Sequence, residues 1–413
     1  MENINYVLNS TSRNWNSASS AYEMFSINEA LQAATFLKSF PQYSSTPLVN
    51  LSGLAKELGV KGLFVKDESK RFGLNAFKVL GSAYALGCFL AEKLGLKIEG
   101  LTLERLREES KKQNLPKIIF TTATDGNHGR GLAWAARYLG HNAIIYMPAG
   151  SAHSRIANIE ATGAKVIVTE FNYDRTVELA RTEAIRHGRQ LVQDTISDGN
   201  EQIPRWIMQG YTVIAAEALE QLQAYNSQNP THLLLQCGVG SFPAAMIASF
   251  TSAMNKEELL SAIVEPDRAD PFFRSALAAD GTAKTVDGAL DTIMAGLACG
   301  VPNPLAWEIA RNYCDAFFSC PDYVAAYGMR LLSNPLAGDE RIVSGESGAV
   351  TAGLLCLMLQ TTSSGRLVDQ LQLGSDSVIL LISTEGDTDP QMYRKITWEG
   401  AFPLPEKVVF QAH

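Results

Sequence analysis

Several large classes of protein are excluded by what this sequence does not contain. It has no apolar run long enough to span a membrane, and residues 1–5 carry neither the basic nor the apolar region of a signal peptide. Its net charge is −8, whereas nucleic acids and anionic membranes bind to basic surfaces. We therefore expect a cytoplasmic protein without a nucleic-acid or membrane partner.

Metal-binding and redox patterns are missing as well. The six histidines show no metal-ligand spacing, and the six cysteines sit mostly in apolar surroundings without a CxxC pair. We predict no metal site, and buried free thiols rather than disulfides. A nicotinamide dehydrogenase is disfavoured, because no GxGxxG follows the first strand and no acidic residue stands at the ribose position.

The composition, with 46% hydrophobic and 19% charged residues, is typical of a soluble globular enzyme. A chain of 413 residues is long enough for two compact domains. Two series of alternating strands and helices predict an α/β fold built from parallel βαβ units. The first series has strands at 118–122, 143–147, 165–169 and 190–193, with helices at 127–139, 154–161 and 174–187. The second has strands at 233–236, 262–264 and 377–382, with helices at 244–254, 304–313, 322–333 and 348–360. The first 40 residues are helix-capable but carry no readable motif.

Lys78 stands near the start of a helix predicted over 76–94, where apolar residues recur at helical spacing without proline. A cation in the first turn faces the positive end of the helix dipole, which is unfavourable. A lysine is favoured there if its amine is kept neutral, as in a covalent bond to an aldehyde cofactor. Taken alone, a solvent-facing lysine at a helix start is the more common arrangement.

Two later segments each place a glycine-containing turn between a strand and a helix. Residues 123–129 read Ala-Thr-Asp-Gly-Asn-His-Gly, and the N–H groups exposed at such a helix start bind anions. Residues 236–243 read Gln-Cys-Gly-Val-Gly-Ser-Phe-Pro, where two glycines let successive N–H groups converge on a phosphate and Ser241 adds a hydroxyl. Each turn alone is compatible with an ordinary βα loop.

Together and in this order, the Asn-x-Phe-Lys segment at 75–78 and these two turns resemble the pyridoxal-phosphate enzymes of the tryptophan-synthase-β type, also called fold type II. Thr-Pro-Leu at 46–48 fits the same group. Within it the chain is most similar to the diaminopropionate ammonia-lyases, on the basis of Asp125, the segment 201–211 and Gly-Glu-Ser-Gly-Ala at 345–349. The resemblance spans roughly residues 40–390.

The resemblance implies two domains, each an open, mostly parallel twisted sheet flanked by helices, with the cofactor between them. It assigns residues 85–205 to a smaller inserted domain, and 1–84 with 206–413 to the larger, cofactor-binding one. Enzymes of this size and class are commonly twofold dimers, so a homodimer is expected.

The resemblance also implies residues that bind pyridoxal phosphate. Lys78 corresponds to the lysine that binds the cofactor's aldehyde, and Asn127 to the asparagine that hydrogen-bonds its 3′-oxygen. A turn or helix cap is the alternative role for Asn127. The family places a Ser or Thr hydroxyl at the ring nitrogen, which favours Thr384, with Ser383 as the alternative. A hydroxyl keeps that nitrogen largely unprotonated, which suits β-elimination better than transamination.

The phosphate loop of the family corresponds to Gly238, Val239, Gly240 and Ser241. The family usually has more glycine in this loop, and Val239 departs from that pattern. Because backbone N–H groups bind the phosphate, we expect the departure to matter little. The lyase subgroup can carry a disulfide near its active site, but Pro271 occupies one of those positions here, so that bond is not predicted.

Asp125 distinguishes the subgroup, since most relatives carry a small hydroxyl residue there, close to the substrate carboxylate. An acid would repel that carboxylate, which leaves two tasks: binding a substrate ammonium, or removing the α-proton from the face opposite Lys78. A helix-capping aspartate is the structural alternative. Asp194, at the end of a predicted strand, is the second acid that the lyase pattern places in the pocket.

These residues predict a carbon–nitrogen lyase that eliminates ammonia from D- and L-2,3-diaminopropionate to give pyruvate and two ammonia. A threonine or serine deaminase, or an enzyme like serine racemase, is the alternative within the family. A cofactor carrier without turnover belongs to a different class. The carrier is disfavoured because it needs no acid over the α-carbon.

Overall fold

The protein is organised around two β-sheets, one of eight strands and one of four. The computed structural model describes residues 3–10, 12, 20–196, 200–225, 229–254 and 258–413. Within these ranges the strands are β1 Ile4–Leu8, β2 Leu48–Asn50, β3 Gly62–Asp67, β4 Ile119–Ala123, β5 Asn142–Met147, β6 Lys165–Val168, β7 Gln190–Leu191, β8 His232–Gln236, β9 Leu260–Pro266, β10 Ala316–Cys320, β11 Val378–Ser383 and β12 Phe410–Ala412.

Helices flank both sheets. They are α1 Ile27–Lys38, α2 Ser52–Glu57, α3 Val79–Lys93, α4 Leu103–Lys112, α5 Asn127–Tyr138, α6 His153–Glu160, α7 Tyr173–Arg186, α8 Gln202–Tyr211, α9 Val213–Ala224, α10 Ser241–Ala253, α11 Pro271–Ala278, α12 Pro304–Tyr313, α13 Asp322–Ser333, α14 Glu346–Gln360, α15 Gly365–Gln370 and α16 Pro390–Thr397. Short 3₁₀ turns lie at Ser20–Phe25, Glu68–Gly73, Ala295–Leu297 and Thr362–Ser364.

Both sheets are mainly parallel, as the sequence predicted. The larger has the strand order β12-β1-β10-β9-β8-β11-β3-β2, with antiparallel pairing only between β1 and β10 and between β2 and β3. The smaller has the order β6-β5-β4-β7 and is parallel throughout. Most residues of its strands are buried or half-buried, which explains their apolar, β-branched character, and the exposed ones are Asn142, Lys165 and Val168.

The segment before Lys78 differs from the prediction. The helix was expected from residue 76, but α3 begins at Val79 and Lys78 is its N-cap. Phe77 N–H donates to Thr384 O at 3.1 Å, and Gly386 N–H donates to Asn75 O at 3.0 Å. These hydrogen bonds pair the residues before Lys78 with the chain that follows β11, so they form turns and a single β-bridge, between Ala76 and Glu385, rather than a helix.

Two other boundaries are corrected. Helix α10 begins at Ser241, not at residue 244, because the proline at 243 lies in the first turn, where a missing N–H costs no hydrogen bond. The strand predicted at 190–193 is limited to Gln190–Leu191. The side chain of Gln193 instead accepts a hydrogen bond from Thr122 Oγ1 at 2.7 Å.

The strands β1 and β10 were not predicted. Residues 1–40 were described as helix-capable, and α1 agrees with that description, but β1 pairs antiparallel with β10. The two strands are about three hundred residues apart in sequence, so no local sequence pattern predicts their pairing. Long-range register of this kind depends on tertiary packing rather than on propensity.

Among the described residues, no helix is long and apolar enough to cross a membrane. None of the six cysteines, all of which lie in the described ranges, forms a disulfide; five are buried and Cys299 is half-exposed. Pro271, expected at a family disulfide position, is the first residue of α11.

Candidate active site

One pocket brings together nearly all the residues singled out from the sequence. They line it in common, and they are Lys78, Asp125, Asn127, Gly238, Val239, Gly240, Ser241 and Thr384. The segments that carry them follow β3, β4, β8 and β11, so each lies beyond the carboxyl end of a parallel strand. Ligand sites of open α/β sheets commonly lie at such ends.

Asp194 lies against Lys78 rather than on the pocket wall. Its Oδ2 is 2.6 Å from Lys78 Nζ, and the carboxyl group is buried. Burial alone would raise the pKa of Asp194, but the Lys78 ammonium lowers it to about 2. Burial likewise would lower the pKa of Lys78, yet Asp194 and the neighbouring Tyr211 raise it above its ordinary value. The free Lys78 side chain is therefore a paired cation. The neutral nitrogen expected from the sequence concerns the lysine bonded to an aldehyde cofactor, and it stays a prediction.

The glycine-rich turn has the backbone of an anion site. Gly240 has φ 92°, and a Cβ atom there would come within 2.1 Å of the Phe272 ring, so only glycine fits. The turn leads into α10, whose first N–H groups have no acceptor within the helix. Ser241 departs from the expectation, since its hydroxyl donates to Asp194 O at 2.6 Å and accepts from Asn303 Nδ2 at 2.9 Å.

The two candidate hydroxyls after β11 have different surroundings. Thr384 Oγ1 lines the pocket and accepts a hydrogen bond from Gln236 Nε2 at 2.7 Å, which leaves its own proton free to be donated. Ser383 Oγ instead donates to Ser344 Oγ at 2.8 Å and does not line the pocket. The geometry therefore favours Thr384 over Ser383 as a donor to a group in the pocket.

Asn127 is the first residue of α5 and does not cap it. Its Nδ2 donates to Glu385 Oε2 at 2.5 Å, so the side chain reaches from the loop after β4 to the chain after β11. Glu385 also accepts from the Ser347 N–H at 3.2 Å, and it is buried. The next residue, His128, is buried too, with Nε2 2.8 Å from Val192 O.

The capping interpretation of Asp125 is wrong. The residue that caps this helix start is Thr124, whose Oγ1 accepts from the N–H groups of Gly126 and Gly129 at 2.9 and 3.2 Å. Asp125 instead points into the pocket, with Oδ2 3.5 Å from the guanidinium of Arg155. Its carboxyl group is thus available to a ligand.

A larger cleft of about 370 Å³ adjoins this pocket, and Asp125 lines both. Its wall also carries the guanidinium of Arg155 and the carboxyl groups of Asp291, Glu346 and Asp389. Glu346 is 3% exposed, and its burial, together with repulsion from Glu385, raises its pKa to about 8. Burial would lower the pKa of Arg155, but the carboxylates around it, first Asp125, raise it instead.

These groups fit an aromatic aldehyde that carries a phosphate. A lysine amine lies beside a helix start with glycine in its turn, and a hydroxyl proton is free at Thr384. Two further polar atoms, Gln236 Oε1 and Ser347 Oγ, are buried without a hydrogen-bond partner among the described residues. Buried polar atoms are rarely left unpaired, so the pocket is complementary to a polar ligand.

Comparison with known proteins identifies that ligand. A family model for pyridoxal-phosphate dependent enzymes matches residues 40–385. The chain is 50% identical over 377 residues to diaminopropionate ammonia-lyase of Escherichia coli (strain K12), which covers 91% of this chain and 93% of that protein. It is 44% identical over 400 residues to diaminopropionate ammonia-lyase of Salmonella typhimurium, covering 97% and 99%. A crystal structure of the E. coli enzyme in complex with an aminoacrylate-PLP azomethine reaction intermediate matches with a TM-score of 0.88 at 47% identity, covering 97% of this chain and 98% of that one.

The chain therefore belongs to the pyridoxal-phosphate dependent enzymes of fold type II. Within that family it belongs with the diaminopropionate ammonia-lyases, which are carbon–nitrogen lyases. The fold class, the family and the cofactor expected from the sequence are confirmed.

Sequence reasoning missed several residues of the site. Arg155 and Glu385 had no assigned part, and Gln236 and Ser347 were quoted only within longer segments. Glu385 follows Thr384 directly after a strand, and that position was a usable signal. Arg155 had none, since it lies on α6 and reaches Asp125 only in the folded chain.

Proposed function

We propose that this enzyme eliminates ammonia from 2,3-diaminopropionate, of either hand, to give pyruvate and a second ammonia. The observation that carries the proposal is the position of Asp125, whose carboxyl group opens onto the same pocket as Lys78. An acid and an amine in one pocket supply two groups that can move a proton on an amino acid. The identity to ammonia-lyases over most of the chain supports the same substrate.

Four elements of the pocket would hold the cofactor. Lys78 would bind its aldehyde carbon, and the N–H groups of 238–241 its phosphate. Asn127 would hydrogen-bond the 3′-oxygen, and the free proton of Thr384 would be donated to the ring nitrogen. When bound, pyridoxal phosphate withdraws electrons from the α-carbon of an attached amino acid and so acidifies the α-proton.

Asp125 and Lys78 then each act on one of the two antipodes of the substrate. Asp125 removes the α-proton of the D form, and Lys78, in its neutral form, removes that of the L form. Asp194, at 2.6 Å from the Lys78 nitrogen, holds it in place and stabilises the ammonium that results. The electron pair of the Cα–H bond forms the Cα=Cβ bond, and the pair of the Cβ–N bond leaves with the nitrogen. Because a β-ammonium departs as neutral ammonia, it needs no proton donor, unlike the hydroxyl of serine or threonine. The released enamine hydrolyses to pyruvate and the second ammonia.

The test begins with the absorbance spectrum of the purified enzyme and a pyruvate assay on a panel of amino acids. We expect a yellow protein, loss of the band from the lysine-bound cofactor in Lys78→Ala, and faster turnover of diaminopropionate than of serine or threonine. Retention of that band in Lys78→Ala would refute the assignment of the lysine. Faster turnover of the hydroxy amino acids would indicate a deaminase instead.

We also propose the domain division, assembly and location expected from the sequence. The strands of the smaller sheet lie between residues 119 and 191, inside the range 85–205 proposed for the inserted domain. A homodimer is the common assembly for enzymes of this class. A cytoplasmic location agrees with the acidic composition and with the metabolic nature of the reaction.

A further inference from the structure

The pocket contains space that the groups assigned to the cofactor do not use. Gly296 lies on its wall, and a Cβ atom built there would be 3.1 Å from Ser347 Oγ and 4.0 Å from Asp125 Oδ2. Glycine at this position therefore keeps the gap between the hydroxyl group and the carboxylate unfilled, because a methyl group there would crowd the hydroxyl. Both oxygen atoms face the pocket that holds Lys78.

The hydroxyl of Ser347 makes no hydrogen bond within the described part of the chain. The residue is 4% exposed, and Oγ has no hydrogen-bond partner among the described residues, although it lines the pocket. A buried hydroxyl without a partner is unfavourable, so this atom is set to pair with a ligand. Its own backbone N–H is already engaged with Glu385, which serves the start of α14.

The charges around this space determine whether a cationic or an anionic ligand group is favoured there. Carboxyl groups of Asp125, Glu385 and Asp389 lie at or near it, together with the guanidinium of Arg155, whereas Glu346 keeps its proton because its pKa is raised to about 8. Lys78 is balanced by Asp194. The start of α14 contributes only about half a positive charge, and Glu385 already accepts from its N–H group. The surroundings are therefore negative and favour a cation over a neutral or anionic group.

We propose that the space in front of Gly296, between the Ser347 hydroxyl and the Asp125 carboxylate, is the subsite for the β-ammonium of the substrate. Ser347 accepts a hydrogen bond from the ammonium, and the carboxylates keep the leaving nitrogen protonated. Gly296 leaves the subsite open, and the surrounding carboxyl groups make it selective for a cationic β-amino group over an anionic β-substituent. This inference rests on the proposed elimination reaction and adds the residues that recognise its second amine.

The test compares diaminopropionate with alanine of the same hand, which has no β-amine and competes for the same pocket. We expect Ser347→Ala to lower kcat/KM for diaminopropionate about tenfold to a hundredfold, the range for a hydrogen bond to a charged group. The inhibition constant of alanine should stay within about twofold. Gly296→Ala should likewise weaken diaminopropionate more than alanine, because its methyl group projects into the subsite.

Thr351→Val is the matched control. Thr351 lies four residues further along α14, and its Oγ1 is also buried without a partner among the described residues, but it does not line the pocket. This variant should change neither constant. If Ser347→Ala left diaminopropionate turnover unchanged, or weakened alanine as much as diaminopropionate, the subsite would be refuted. A wild type inactive on diaminopropionate would refute the proposed reaction itself, before any variant is compared.

Discussion

Replacing Asp125 with asparagine separates its chemical role from its structural one. Asparagine keeps the size and most of the hydrogen-bonding reach of aspartate, but it cannot accept a proton. The helix start is unaffected, since Thr124 caps it. The ion pair with Arg155 is lost, at 3.5 Å and with the Asp125 side chain 32% exposed.

The loss of the ion pair and the loss of the general base differ enough in magnitude to be told apart. A partly exposed ion pair of this geometry contributes up to about 1 kcal/mol to stability, so the variant should fold. A general base contributes roughly a hundredfold to ten-thousandfold in rate, or about 3–5 kcal/mol of activation free energy. Loss of the base should therefore dominate. It should fall on D-diaminopropionate, because Lys78 remains to serve the L form.

The assay is coupled pyruvate formation from each antipode, with the melting temperature measured in parallel. We expect kcat on the D antipode to fall at least about a hundredfold, with a much smaller change on the L antipode. Equal retention of both activities would mean that Asp125 is structural. Equal loss of both would mean that its main task is to bind the β-ammonium, which both antipodes require, and the base assignment would then be withdrawn.

Three further predictions concern the cofactor site, a buried acid and assembly. Gly240→Ala should weaken pyridoxal-phosphate binding in a titration of the apoenzyme, because the new Cβ would lie 2.1 Å from the Phe272 ring; wild-type affinity would contradict the anion-site geometry. Glu346, with its folded-state pKa raised to about 8, holds a proton that the unfolded chain releases above its ordinary pKa near 4.5, so the apoenzyme should lose stability as pH rises from about 5 to 8. Glu346→Gln removes that loss, and its melting temperature relative to wild type should rise across this range; a constant difference would contradict the raised pKa. Light scattering should give twice the chain mass, and a monomer at working concentration would refute the homodimer.

Much of the pocket could be predicted from sequence because short segments carry it. The loop around Asn127 and the glycine-rich turn each follow a predicted strand, and strands with the same direction bring their carboxyl ends to one edge. The strand before Lys78, β3, was not predicted. Their order along the chain also gave the family, which the comparisons confirm. The roles of the individual residues remain proposals.

Side-chain partners could not be predicted in the same way. Asn127 donates to Glu385, more than two hundred and fifty residues away in sequence, and Ser241 donates to the Asp194 carbonyl rather than to the pocket. The ion pair of Lys78 with Asp194 was not predicted for the same reason, since Asp194 lies 116 residues further along the chain. Contacts of this separation leave no trace in local periodicity.

The sequence by itself determined the parallel α/β architecture and the glycine-containing turns that lead into α5 and α10, because hydrophobic spacing and glycine placement act within a few residues. The tertiary structure alone decided which hydroxyl faces the pocket, which oxygen caps α5 and where Arg155 lies. It also decided that the space at Gly296 opens between Ser347 and Asp125. Those outcomes depend on side chains from separate strands and helices meeting at distances near 3 Å, and only the packing of the whole chain sets such distances.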